Sequence, residues 1–205
     1  MKKSTRLLAL GAALAAAAGA HATDLVLRAG IHDVVPKSGN NAVVNVDSNA
    51  TLSLGGTLFV TPHVAVDLLG ALPFKHDINL NGGGKVGSTK QLPPTLGLQW
   101  RFLPGHAVDP FVGLGVNYTN FFDKQTTGAL AGTHLVLPPS WGLAAQAGLD
   151  IRLAEGWLVG LDARYAKIST HAKVMSSAGA LVLDVGDVDI DPYVFGLTIG
   201  RHFDL

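Results

Sequence analysis

Apolar and polar residues alternate along most of this chain with a period of two. In residues 157–166, for example, Trp157, Val159 and Leu161 alternate with Gly160 and Asp162. Successive side chains of a β-strand point to opposite faces, so this pattern predicts strands with one apolar face and one small or polar face. The same alternation occurs in residues 51–60, 64–72, 96–102, 112–118, 141–152 and 193–203.

Eight such segments are predicted to be strands, and the connections between them are of two kinds. Three connections are tight, whereas the other four run to a dozen residues or more and are rich in Gly, Asn, Ser, Thr and Asp. Short and long connections alternate, as in bacterial outer-membrane barrels with short periplasmic turns and long extracellular loops. The sequence therefore predicts an all-β fold, an eight-stranded antiparallel transmembrane β-barrel. Its strands are expected at 25–35, 49–60, 64–76, 91–103, 109–122, 140–153, 157–169 and 189–203, and its long loops at 36–48, 77–90, 123–139 and 170–188.

Composition agrees with a membrane protein built without spanning helices. Of the 205 residues, 48% are hydrophobic and only 15% are charged, and the formal net charge is zero. Mean hydropathy is +0.33, yet after residue 22 no apolar run approaches the roughly 18 residues that a spanning helix needs. A neutral chain offers no basic field for nucleic acid, and without cysteine it has neither disulfides nor thiolate metal ligands.

The N-terminus has the three parts of an export signal. Basic residues at positions 2, 3 and 6 precede an apolar stretch at 7–20, and an Ala-x-Ala motif follows at 20–22. This order predicts a signal peptide over residues 1–22 that is cleaved after Ala22. The mature chain, residues 23–205, is then expected to form a single outer-membrane barrel domain.

The residue types on the two faces indicate which face meets lipid. The polar face carries Gly, Ala, Thr and a few Arg and Asp rather than many Lys, which suits a crowded and partly wet interior. Aromatic residues of the apolar faces fall near the strand ends, as in the girdles at the two bilayer interfaces. We therefore expect the apolar face to contact lipid; a secreted soluble β-barrel of the lipocalin type is the alternative. The expected interface aromatics are Trp100, Phe102, Trp157 and Phe203 at the short-turn ends and Phe74, Tyr118, Trp141, Tyr165 and Tyr193 at the long-loop ends.

Several motifs resemble one family of small outer-membrane proteins, the OmpW family. They stand in the family's order: RAG at 28–30, PFKHDI at 73–78, TKQLPPTLGLQW at 89–100, PFVGLGVNYTNFFD at 110–123, SWGLAAQAGLDI at 140–151 and VDIDPYVFGLTIG at 188–200. The resemblance implies an eight-stranded barrel with a narrow, largely hydrophobic lumen and passage of small hydrophobic molecules across the outer membrane.

One departure from the family pattern is at the C-terminus, where family members commonly end on an aromatic that the barrel-assembly machinery recognises. Here Asp204 and Leu205 follow Phe203, and Arg201 stands where an aromatic is common.

The inward face predicts the candidate site, a lumen lined by small and charged residues. An eight-stranded barrel is just wide enough for side chains to fill it, so a plugged barrel is one interpretation. The other is a thin pore, since ten glycines are expected on the inward faces and glycine in a strand often marks needed space. The inward charges are expected either to pair structurally or to form a selectivity ring. The predicted lumen-lining residues are Arg28, Asp67, Gln99, Arg101, Gly113, Gly115, Asn117, Gly142, Gln146, Gly148, Asp150, Arg152, Asp162 and Arg164.

Other chemistry has weaker sequence support. The eight histidines do not repeat at metal-ligand spacing, no Ser/His/Asp set is singled out, and neither a cofactor nor an enzyme is predicted. An acidic cluster near the last long loop, at Asp184, Asp187, Asp189 and Asp191, is interpreted as a solvated rim rather than a calcium site. The function expected is passive passage of small hydrophobic solutes. The alternative is a structural or surface-interaction barrel whose loops bind lipopolysaccharide, phage or a host surface; outer-membrane lipids and the assembly machinery are expected partners in both cases.

Overall fold

The computed structural model describes residues 24–37 and 41–205, so the predicted signal peptide and its cleavage site at Ala22 lie outside the described residues. Within these ranges the chain forms 14 strands and two single-turn 3₁₀ helices, Gly128–Leu130 and Ala154–Gly156. No helix among the described residues is long and apolar enough to cross a membrane.

Eight of the strands close into an antiparallel barrel, as predicted. Each pairs with the next in chain order, and the first pairs with the last through an unbroken register from Asp24↔Asp204 to Val35↔Tyr193. The barrel strands are β1 (Asp24–Val35), β3 (Asn49–Phe59), β4 (Val64–Ala71), β7 (Thr95–Arg101), β8 (Val108–Thr126), β10 (Ser140–Arg152), β11 (Trp157–Ala166) and β14 (Tyr193–Asp204).

The four long connections differ from the prediction, because they contain strands of their own. Predicted strand 64–76 stops at residue 71, and the chain then forms a hairpin that ends where predicted strand 91–103 was expected to begin. Likewise, predicted strand 157–169 stops at 166 and is followed by a second hairpin, whose last residue is 189. The additional strands are β2 (Val44–Val46), β5 (Phe74–Leu80), β6 (Lys85–Leu92), β9 (His134–Val136), β12 (Ser169–Met175) and β13 (Leu181–Asp189).

These extra strands bury an apolar core above the barrel. Strand β5 pairs with β2 and β6, and β6 pairs with the extension of β8 beyond residue 119, while β12 lies between β13 and β9. Inward-facing side chains such as Phe121, Leu137 and Ile190 pack together there and are almost fully buried. Because burial of apolar surface is favourable, this core stabilises the hairpins in their position over the extracellular end of the barrel.

The outward face of the barrel is apolar. Leu114 is 73% exposed and Leu143 is 75% exposed, and neighbouring strands carry equally exposed aliphatics. In a protein surrounded by water such a continuous apolar surface would be highly unfavourable, whereas a lipid bilayer covers it. Trp100, Phe102, Trp141, Trp157, Tyr193 and Phe203 are exposed on this face, and Tyr118 and Tyr165 are half-buried.

Arg201, which stands where an aromatic is common in the family, contacts two aromatic rings near the C-terminus. The guanidinium of Arg201 lies 5.4 Å from the ring centroid of Trp157 and 5.9 Å from that of Phe203. A cation over aromatic faces is favourable. Arg201 therefore joins the short-turn aromatic girdle rather than interrupting it.

Candidate functional site

Buried charges cross the lumen on its periplasmic side. Arg101 donates from Nε to Asp109 Oδ2 at 3.0 Å and from Nη2 to Asp150 Oδ2 at 2.5 Å. Arg28 binds the same Asp150 through two hydrogen bonds of 2.6 and 2.9 Å. The Arg101 guanidinium also lies 4.5 Å from the ring centroid of Phe111. These groups come from four different strands, so they tie opposite walls of the barrel together.

A second group of charges lies next to the first, toward the extracellular side. Arg164 donates to Asp67 Oδ2 at 2.9 Å and to Asp162 Oδ1 at 2.5 Å. Thr57 connects the two groups, because its hydroxyl accepts from Arg28 Nε and donates to Asp67 Oδ1 at 2.9 Å. We call this set the charged network: Arg28, Asp67, Arg101, Asp109, Asp150, Asp162 and Arg164.

The charged network consists of closely paired side chains rather than a ring of like charge. Each of its ion-paired side chains is at most 9% exposed. Buried charges are tolerated only when they are paired and hydrogen-bonded, as they are here. Arg152 faces the same side of its strand but is exposed, and it lines a cavity at the periplasmic mouth.

Several polar residues of the lumen were not among the sequence candidates, Thr57 of the charged network's surroundings included. Asp109 is fully buried against Arg101. It lies two residues before Phe111 and four before Gly113 on β8, so the period of two assigns it to the same inward face. His32 and Ser53 are also buried, at 1% and 3% exposure. Their inward position follows from the same period of two, which was the available signal.

The inward glycines do not leave an open pore, so the thin-pore interpretation is wrong at these positions. A methyl group at Gly148 would lie 2.6 Å from Phe111 Cζ, and one at Gly113 would lie 2.8 Å from Gln146 Nε2. At Gly160 it would lie 3.0 Å from Arg28 Nη1. The glycines thus make room for large side chains that reach across from other strands, and Gly115 and Gly142 are likewise in close contact with neighbouring backbone.

Above the charged network the lumen opens into a cavity, the inner chamber. His32, Gln146 and Arg164 lie at its floor, and Asn117 and the predicted interface residue Phe74 also line it. Phe74 is 2% exposed and therefore does not meet lipid, because the chain turns into β5 before this residue instead of continuing along the wall. Gln99 is buried below, between Arg101 and Gln146.

A second cavity, the outer chamber, lies among the hairpins over the inner one. Of the 19 described residues that line it, 13 are Val, Ile, Leu, Phe or Ala and none is Asp, Glu, Lys or Arg. Its empty volume is about 660 Å³, a value that includes space open to solvent. The apolar side chains include Val44, Val86, Phe121, Leu137, Val174 and Ile190.

Comparison with known proteins agrees with this architecture. The chain matches the model of the OmpW family over residues 20–203. The chain belongs to the OmpW family. It is 39% identical over 195 residues to Outer membrane protein W of Vibrio cholerae, an alignment that covers 88% of each protein. It is also similar to the crystal structure of OprG from Pseudomonas aeruginosa, with 34% identity, a TM-score of 0.79 and coverage of 92% of this chain and 99% of OprG. The solid-state NMR structure of AlkL in lipid bilayers gives 25% identity, a TM-score of 0.68 and coverage of 91% and 93%.

This OmpW-family barrel also carries a Ser–His–Asp arrangement that spacing did not reveal. His32 Nδ1 lies 2.6 Å from Ser53 Oγ, and His32 Nε2 lies 3.2 Å from Asp162 Oδ2. Asp162 is shared with Arg164, and Ser53 lines neither chamber. The three residues therefore extend the charged network toward β1 and β3. The relatives named above are outer-membrane barrel proteins.

The predicted acidic rim is divided between two sets of partners in this family member. His171 on β12 bridges Asp184 and Asp187, at 2.9 Å from Nε2 and 2.7 Å from Nδ1 respectively. Asp191 instead accepts a hydrogen bond from the backbone N–H of Ile168 at 2.9 Å. Asp184 and Asp187 thus belong to one local structure and Asp191 to another, so the cluster does not converge on one point.

The bridge formed by His171 predicts a pH-dependent hairpin. The hydrogen bond to Asp187 is the largest cause that raises the pKa of His171 above its ordinary 6.5, and the charge of Asp184 adds to it. Because the folded pKa is raised, the bridge contributes fully below pH about 6.5 and is lost as the pH rises through the folded pKa. Amide hydrogen-exchange protection in β12 and β13, corrected for intrinsic rates, should therefore fall between mildly acidic and mildly alkaline pH. His171→Gln should remove the pH dependence; equal pH profiles for the two proteins would contradict this assignment.

Proposed function

We propose that this outer-membrane barrel lets small apolar solutes pass from the cell exterior through the outer and inner chambers. The observation that carries this proposal is the uncharged, mainly apolar outer chamber directly above the barrel lumen. A solute without charge loses little by entering such a lining and gains from leaving water. The family resemblance, which implies passage of hydrophobic molecules, supports the same function.

The exit proposed for the solute is sideways into the membrane rather than straight through the barrel. The inner chamber has Arg164 and His32 at its floor, whereas the periplasmic cavity has Arg101 and Asp150 at its roof, and the two share no lining residue. An apolar solute that continued along the axis would have to separate buried ion pairs. That would cost several kcal/mol for each charge left without its partner.

A break in the barrel wall supports this lateral route. The pairing of β4 with β7 ends at Leu69↔Thr95, and the pairing of β5 with β6 begins at Phe74↔Gln91. Residues 70–73 and 92–94 lie between these pairs, and two of the latter are prolines, which have no N–H to donate. Leu69, Gly70 and Pro93 all line the inner chamber, so the chamber lies directly behind the break.

The proposal is tested by uptake of naphthalene, an apolar probe, into cells of a Gram-negative host that lacks its own OmpW-type proteins. We expect the initial uptake rate to rise when the protein is present in the outer membrane. Uptake equal to that of cells without the protein would contradict the proposal. It would favour the structural or surface-interaction barrel, whose loops would then be tested for binding to lipopolysaccharide, phage or a host surface.

Filling the wall break should reduce uptake without unfolding the barrel. Gly70→Leu is suitable, because the nearest atom to an added Cβ is Leu54 O at 3.8 Å, an ordinary contact. Gly70 is paired with outward-facing Leu54, so the longer side chain would cover the break from its lipid side, and we expect most of the naphthalene uptake to be lost.

Gly56→Leu is the matched control for the wall break. It also has room for a side chain, with the nearest atom at 3.7 Å, but it lies on β3 and does not line the inner chamber. Both variants should keep the heat-modified electrophoretic mobility of the folded barrel. If they reduced uptake equally, or if neither did, the lateral route would be wrong.

A further inference from the structure

Gln91 lies at the boundary between the inner chamber and the outer chamber. Among the described residues that line them, it is the one shared by both. It lies on β6, opposite Phe74 in the β5–β6 ladder, and is only 1% exposed. A solute that moves from the outer to the inner chamber therefore passes its side chain.

The hydrogen bonds around Gln91 fix the orientation of its amide. His76 Nδ1 lies 2.5 Å from the backbone oxygen of Asp47, which can only accept, so Nδ1 carries the ring proton. Burial is the largest influence on His76, which lies outside the membrane-spanning strands, and it lowers the pKa of the ring. The neutral ring then accepts at Nε2, and Gln91 Nε2 donates to it at 2.9 Å.

This arrangement leaves the amide oxygen of Gln91 available to a ligand. Within the described part of the chain Gln91 Oε1 accepts no hydrogen bond, although the residue is almost fully buried. No buried side-chain nitrogen or oxygen of the described residues lacks a hydrogen-bond partner, so this oxygen is not sealed inside the protein but has access to cavity space. The surroundings of the oxygen are the two chambers themselves, whose linings are largely apolar.

From this geometry we infer that Gln91 Oε1 is a selection point for solutes that carry a hydrogen-bond donor. It accepts a hydrogen bond from the hydroxyl of an apolar molecule, while the apolar remainder of the solute contacts the chamber walls. The preferred substrate class is then small apolar alcohols and phenols rather than hydrocarbons. The inference rests on the proposed function, since it concerns the choice among solutes that the chambers conduct.

The test compares uptake of 1-octanol with uptake of octane at equal thermodynamic activity, in the host described above. We expect the wild-type protein to increase octanol uptake more than octane uptake. Gln91→Leu should lower the octanol-to-octane ratio about 5-fold, which corresponds to about 1 kcal/mol for one neutral hydrogen bond.

A matched control comes from the same face of the same strand. Thr89 is two residues before Gln91, is 5% exposed and lines only the outer chamber. Thr89→Val removes a hydroxyl from the outer chamber but leaves Oε1 in place, so the octanol-to-octane ratio should stay as in the wild type. Heat-modified mobility reports whether each variant folds.

A competition experiment on the wild-type protein makes the test independent of any variant. Octanol should inhibit naphthalene uptake at lower activity than octane does. Equal inhibition by the two solutes, or an octanol-to-octane ratio that Gln91→Leu does not change, would overturn the inference while leaving the conduit intact. Absence of uptake of every solute by the wild-type protein would overturn the proposed function and this inference together.

Discussion

Leu114→Arg is expected to destabilise the folded barrel by about 2–4 kcal/mol, the cost of an arginine that faces lipid near the bilayer midplane. Leu114 lies in the middle of the barrel portion of β8, between outward-facing Val112 and Val116, and is 73% exposed. Its cross-strand neighbour Leu98 is similarly exposed, so nothing polar is near to receive a guanidinium. The free energy of unfolding in lipid vesicles, measured by urea titration with heat-modified mobility as the readout, checks this value.

Leu181→Arg is the matched control for the lipid face. Leu181 is 55% exposed, but it begins β13 in the extracellular hairpin, where water rather than lipid surrounds the side chain. The same substitution should therefore change stability by less than about 0.5 kcal/mol, as is usual at exposed positions. Equal costs at the two positions would mean that the outward face of β8 is not in contact with lipid.

The strands of the barrel were predictable because lipid and lumen impose opposite requirements on successive residues. Wherever a strand crosses the membrane, as in residues 112–118, the alternation is continuous and its period identifies the outward face. The hairpins beyond the membrane lack this pattern. In β6, for example, residues 86–89 are all buried although two of them are Ser and Thr, so the sequence resembles a polar loop.

The content of the lumen was less predictable than its wall. Alternation predicts that Arg28, Asp150 and Arg101 share the inward face, but it does not say that Asp150 meets both arginines across the barrel. For the same reason it cannot distinguish a glycine that leaves space from one such as Gly148, whose space is taken by Phe111. Which charges meet and which glycines leave space both depend on the register between strands around the closed sheet. The pattern within a single strand does not determine that register.

Arg101→Met is expected to have the largest effect on stability, a loss of about 3–5 kcal/mol, because it leaves buried carboxylates without their cation. Arg101 is 1% exposed and is the sole arginine in the described network that contacts Asp109. Asp109 would keep only its hydrogen bond from the backbone N–H of Leu103 at 3.1 Å, and Asp150 would keep only Arg28. Methionine is apolar and flexible and can still pack against Phe111, although the cation–π contact and the hydrogen bond to Gln99 are lost with the guanidinium.

Arg152→Met is the control, because Arg152 points to the same side of β10 but is exposed at the periplasmic mouth. Its replacement should cost less than about 1 kcal/mol, as expected for an exposed charge. If unpaired carboxylates cause the loss in Arg101→Met, adding Asp109→Asn should recover part of it, since a neutral amide is less costly to bury than a carboxylate. A double variant as unstable as the sum of the two single variants would show that Arg101 and Asp109 act independently, and that the charged network does not hold the lumen closed as a connected unit.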